Sequence, residues 1–228
     1  MSSYKNFVSD FPARCAEVLR DSERTARLRK REVTLMLCVA MPSIVVPLER
    51  LNGPKSTPNG ESLGHPFRDW ERFEQAKSSL DDLFETPFIG SPIWPETASG
   101  SWFFGELSDV LNGPDSWDEL RKPKALGPDK KAKTVLLHTR NALAHGNIFT
   151  RGNPEIEQII LLSRPEGAAR FRFLAVAPAD FRALLKNWLQ FLRQARTPRG
   201  RDVRRRGSVC LCFVTPFSHF GMLASGHR

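Results

Sequence analysis

The amino-acid sequence predicts a mainly α-helical domain followed by a basic tail. Three observations carry that reading. Apolar residues recur at three- and four-residue steps over long stretches, as in Phe7, Phe11, Cys15, Val18 and Leu19, and again in Phe181, Leu184, Leu185, Trp188, Leu189 and Leu192. Strand-like runs are confined to one region, "EIEQIILLSR" and "ARFRFLAVA", which flank a "PEG" turn. Beyond that, from Arg193 to Arg228, eight arginines face a single acid, Asp202. The expected architecture is a helical bundle with a small β-hairpin before its last core helix. That domain covers residues 1–196, and 197–228 form a disordered basic tail.

The elements follow in order. A first amphipathic helix runs from about Asn6 to Lys30 and ends in the basic "RTARLRKRE", where cations suit a helix C-terminus. That cluster also admits an RNA-facing reading. Glu32 to about Leu51 reads as one buried helix kinked by Pro42 and Pro47. Its apolar run, Val33 to Leu48, is shorter than the roughly 20 residues that span a bilayer, so no membrane partner is expected. Asn52 to Pro66 carries turn residues throughout and reads as a loop. A third helix presents Phe67, Trp70, Phe73, Leu80 and Phe84 on one face. After an irregular stretch, Trp102 to about Leu111 reads as a short helix and Trp117 to Leu120 as a further turn. The last long core helix is expected from about Pro128 to Ala144 or His145, with Gly146 and Asn147 as its stop. The hairpin and a closing helix, started by Pro178 or Asp180, complete the domain.

Charge and cysteine content narrow the chemistry. The formal charge is +9, but the segment from Arg193 onward carries +7, so residues 1–192 carry only +2. The basicity therefore belongs mostly to the tail and says little about the folded body. Cys15 and Cys38 sit in apolar helical patterns and read as small core residues. Cys210 and Cys212 form a C-x-C without a second ligand pair, so no metal site and no disulfide framework is expected. There is no secretory leader pattern, and a reducing cytoplasm fits. Phosphate-cradling G-x-x-x-x-G-K, H-E-x-x-H and C-x-x-C patterns are all missing from the sequence.

One helix stands apart. Placed at about 100° per residue, Ala132, Val135, Leu136, Thr139, Ala142 and Leu143 form a broad core stripe. His138, Asn141 and His145 share a second side, and Arg140 lies about 140° from His145. Leu137 and Ala144, one heptad apart, form a narrow apolar stripe between the two edges. Small residues with such flanks suit close approach of another helix. A two-fold dimer through Leu137 and Ala144 would set the Arg140 edge of one subunit beside the His145 edge of the other. The same residues also fit an ordinary polar helix face.

"RNALAHG", Arg140 to Gly146, resembles the signature of the HEPN superfamily, the higher eukaryotes and prokaryotes nucleotide-binding domain. That signature is an arginine, four to six residues, then a histidine, late in a helix of an all-α bundle. Here the spacing is Arg-x4-His, with Asn141 as the polar residue after the arginine. The order of motif helix, hairpin and closing "DFRALLKNWLQFL" helix is similar to that of a plasmid and accessory-genome HEPN family. The resemblance covers roughly residues 5 to 195 and is sharp only at the motif.

What the resemblance implies is a metal-independent endoribonuclease that needs no cofactor, takes RNA as its partner and works as a homodimer. It also implies a toxin or phage-defence setting, with a cognate antitoxin protein as a candidate partner. The residue types suit the chemistry. Histidine titrates near neutrality, so His145 can serve as general acid or base. Arg140, forked and permanently charged, can hold the scissile phosphate. Asn141 can orient either. His138 lies outside the motif, as a weaker substrate-binding candidate. Two other classes remain open: a non-catalytic HEPN module for nucleotide or RNA binding or dimerisation, and a helical interaction protein without a site.

Overall fold

A computed structural model of the chain describes residues 7–52, 70–96, 102–108, 110 and 113–195. The expected tail, residues 197–228, and most of the expected loop at 52–66 lie outside the described residues, as does the C-x-C pair. Within them the protein is mainly helical, with a small four-stranded antiparallel sheet.

Helix α1 (Phe7–Leu28) packs against α2 (Glu32–Ala40) and the closing helix α7 (Pro178–Gln194). The apolar face of α7 is buried at all six expected positions, from Phe181 to Leu192. On α1, Cys15 and Leu19 are buried, and burial pushes the Cys15 thiol up to about 11, as suits a core cysteine. Val18, assigned to the same stripe by periodicity, is instead exposed. The basic end of α1 is answered by Glu23, which pairs with Arg27, with Arg182 at 3.4 Å and with Lys186 at 3.1 Å, tying α1 to α7.

The kinked helix expected at Glu32–Leu51 is continuous but changes its winding. Between α2 and α3 (Val46–Asn52), residues Met41–Val45 form a π-helical turn. Pro47 has no N–H, so the carbonyl of Ser43 loses its ordinary helical partner. It accepts a hydrogen bond from the indole Nε1 of the buried Trp188, at 2.8 Å. The Ser43 hydroxyl donates back to the Val39 carbonyl at 2.7 Å. By length and composition Glu32–Leu51 could cross a membrane, yet Met36, Val39, Ala40, Ile44, Leu48 and Leu51 are buried in the protein's own core. Cys38, expected in the core, is exposed on the opposite face.

Helix α4 (Trp70–Glu85) buries Phe73, Leu80 and Phe84 as expected. Trp102–Leu107 is a strand, β1, and not the short helix expected there. Its β-forming Trp102, Phe103 and Phe104 pair with β4 (Phe171–Val176), and Gly105 lies where a Cβ would meet the ring of Phe173 at 2.6 Å. A short helix, α5 (Asp118–Arg121), overlaps the turn expected at Trp117–Leu120, with Trp117 extended just before it.

The sheet runs in the order β1-β4-β3-β2. The two strand-like runs of the sequence are β3 (Gln158–Ser163) and β4, antiparallel to each other. β2 (Ile148–Arg151) and β1 extend them on either side. The unbroken apolar run of β3 follows from burial on both faces. Ile159 and Leu161 join the main helical core, while Ile160 and Leu162 pack with Trp117, Leu120 and Phe173 on the far side.

Candidate functional site

Helix α6 (Ala132–Ala144) crosses the inner face of the sheet against β3 and also meets α4 and the π-helical turn. It starts four residues later than expected. Lys131 bridges to Pro87, and the Ala132 N–H donates to the Thr86 carbonyl at 2.9 Å, which fixes the first turn against the end of α4. Ala132, Val135, Leu136, Thr139, Ala142 and Leu143 are all buried, so the broad stripe faces the core.

The helix ends in a closed cap. Gly146, at φ 66°, donates its N–H to the Leu143 carbonyl, and Asn147 donates to that of Ala142 at 2.9 Å. His145 is therefore the last residue of the winding, at φ −97° and ψ 1°, and its side chain is exposed. The chain enters β2 at Ile148.

Arg140 is half-buried and held from two sides. Its Nη1 donates to Asn141 Oδ1 at 2.6 Å, and its Nη2 pairs with Glu49 Oε1 on α3. Its Nε is buried and makes no hydrogen bond. Leu137 is half-buried against the core, and Ala144 is exposed. Among the described residues, Ala144 is thus uncovered, while Leu137 is covered in part.

His138 is elsewhere. It is buried, and both ring nitrogens are engaged by β3. A carbonyl only accepts, so Nε2 carries the proton and donates to Leu161 O at 2.8 Å. Nδ1 then accepts from the Ser163 hydroxyl, also at 2.8 Å. Phe104 stands edge-on to the ring. Burial first, with the nearby Arg172 charge, lowers the His138 pKa to about 4 against the opposing effect of the Leu161 bond. The ring is a neutral clamp between α6 and β3, with no nitrogen free for a substrate. Periodicity puts His138 on the side of His145; β3 covers that side at His138 and leaves His145, at the cap, exposed.

Sequence periodicity sets Arg140 and Asn141 on different edges of α6, whereas the long arginine side chain reaches its neighbour Asn141. It sets His145 at the end of the helix, and it misses Glu49. Counted at 3.6 residues per turn from Met36 and Ala40, Glu49 faces away from the core. The π-helical turn takes in an extra residue and rotates everything after it by roughly a quarter of a turn, towards α6. Only the two prolines hint at it. Among the described residues no group of three or more histidine, cysteine, aspartate or glutamate side chains could hold a metal ion.

The family model described as HEPN pEK499 p136 matches residues 1–199. The chain belongs to this HEPN family. No curated protein and no solved structure matches the chain. The HEPN match runs from α1 past the end of α7, so it takes in the whole of α6 with Arg140, Asn141 and His145. In this HEPN chain those three residues occupy the second half of α6 and its cap.

Proposed function

We propose that the protein is a metal-independent endoribonuclease that works as a homodimer in the cytoplasm. One observation carries the reading: Arg140, part-exposed, is held by Asn141 on α6, and His145 stands exposed where that helix ends. In the proposed reaction a 2′-hydroxyl attacks the adjacent phosphate and the bond to the 5′-oxygen breaks. The products are a 2′,3′-cyclic phosphate and a free 5′-hydroxyl. One proton leaves the attacking oxygen and one reaches the leaving oxygen, so the reaction needs a base and an acid. A single His145 per subunit supplies one of these at a time, and pairing two subunits through Leu137 and Ala144 supplies both. Arg140 stabilises the charge that builds on the phosphate oxygens. A toxin or phage-defence effector, restrained by a cognate antitoxin protein, is the proposed setting.

A second reading is favoured by Glu49. Its carboxylate neutralises Arg140 within the subunit, as suits a non-catalytic HEPN module that binds nucleotide, RNA or a second copy without cutting. The deciding experiment incubates purified protein with RNA in EDTA, wild type beside Arg140→Ala and His145→Ala. Cleavage by the wild type alone, leaving cyclic phosphate ends, is the expected result. Equal cleavage by all three, or none by the wild type, removes the nuclease reading.

A further inference from the structure

We infer that Glu49 is a positioning residue for Arg140, aimed by the π-helical turn and acting on the phosphate-binding fork. The inference rests on the nuclease reading above. Three facts on three elements converge. Arg140 is engaged at Nη1 by Asn141 and at Nη2 by Glu49, from α6 and α3 respectively. Its Nε is buried without a hydrogen-bond partner, while the side chain as a whole keeps 28% exposure. The π-helical turn, pinned by Trp188 through the Ser43 carbonyl, sets the direction in which Glu49 leaves its helix.

The donor count explains what such an arrangement does. A guanidinium carries two hydrogens on each Nη nitrogen. One on each is taken by Asn141 and Glu49, which leaves one on each for an incoming oxygen. A long, unrestrained arginine must give up its rotamer freedom when it grips a phosphate. Here two partners on different elements order the fork beforehand, so its remaining hydrogens are already directed when charge develops on the phosphate. The carboxylate also offsets part of the arginine charge. Its contribution therefore lies in orientation during the chemical step rather than in attraction of the RNA, and a split between kcat and KM follows.

The test compares wild type with Glu49→Gln and Glu49→Leu on a short fluorogenic RNA, with melting followed in parallel. Glu49 is about half exposed, its side chain at 49%, so both variants are expected to fold. Glu49→Leu is expected to lower kcat about tenfold, with KM unchanged or lower, and Glu49→Gln to fall between it and wild type. ¹⁵N NMR of the Arg140 guanidinium, without any RNA, reads the fork directly: hindered rotation about the Cζ–Nη bonds in wild type, free rotation in Glu49→Leu. A freed fork with unchanged kcat overturns the inference, and so does a fork that stays ordered without Glu49. A rise in KM with kcat retained overturns it too, because Glu49 would then serve binding alone. If wild type cleaves no RNA, the nuclease reading fails and the positioning role falls with it. If wild type cleaves and Glu49→Leu matches it, only the positioning role is lost.

Discussion

The indole of Trp188 donates to the carbonyl of Ser43 across the core, from α7 to the π-helical turn, at 2.8 Å. Both residues are fully buried. Trp188→Phe keeps an aromatic ring there and removes the donor, which strands a buried carbonyl whose helical partner Pro47 cannot replace. The expected cost is about 1–3 kcal/mol, plus a contribution from the smaller ring. Urea denaturation measures it. A loss of less than about 0.5 kcal/mol would mean that the carbonyl finds another donor and that the turn does not depend on Trp188.

His138 gives stability a defined pH dependence. Its pKa is lowered from 6.5 to about 4 in the folded chain, so the unfolded chain binds the proton first as pH falls. Stability attached to the neutral ring is complete above pH 6.5, declines as the pH drops from there, and is spent near pH 4, where both states are protonated. The total is on the order of 3 kcal/mol. His138→Gln can retain a hydrogen bond to β3 and has no proton to gain. Denaturation at pH 7.5, 6 and 5 should show wild type weakening over that interval by clearly more than the variant. Parallel curves for the two proteins would refute the assignment.

Where burial follows a simple period, the sequence was legible. The faces of α7 and α4 and the broad stripe of α6 were readable because each helix packs one side on the core for its full length. β3 and β4 were readable from their β-branched and aromatic runs. Val18 and Cys38 were misplaced because an apolar residue costs little at a surface position, so composition alone does not bury it. β1 was missed because its strand character comes from pairing with β4, some seventy residues away, and its Gly105 fits only against the Phe173 ring. At the site, Arg140, Asn141 and His145 were legible as a spacing. Glu49 was not, because a 3.6-residue count breaks at Met41–Val45, and His138 was drawn to the wrong partner because periodicity assigns a side of the helix and not what covers it.

Gly146 fixes where His145 ends up. Its φ of 66° closes the cap of α6, and nothing lies within 4 Å of a Cβ built there, so the cost of a side chain is conformational and not steric crowding. Gly146→Ala should destabilise by roughly 1 kcal/mol, and Gly146→Asn by less, since asparagine tolerates the left-handed region. Cleavage should fall in the same order if the cap sets the histidine. The measurement is a pair of unfolding midpoints with matched RNA assays. A fully active Gly146→Ala that has lost that stability would separate the cap from the site.

Ala144 tests pairing without disturbing the protomer. Leu137, on the same row of α6, packs partly into the core, so its substitution would mix folding with assembly. Ala144 is exposed among the described residues, so a long charged side chain there is compatible with the folded protomer. A helix approaching that row from a second copy would meet it directly, with a buried charge left unpaired. Wild type should sediment at twice the 25.8 kDa of one chain, and Ala144→Arg at 25.8 kDa with its helical content intact. Loss of RNA cleavage should accompany the loss of mass, because each separated subunit keeps one Arg140 and one His145 on opposite edges of the same helix. A monomeric variant that still cleaves would place the whole reaction within one chain, and a wild type of single-chain mass would remove the dimer altogether.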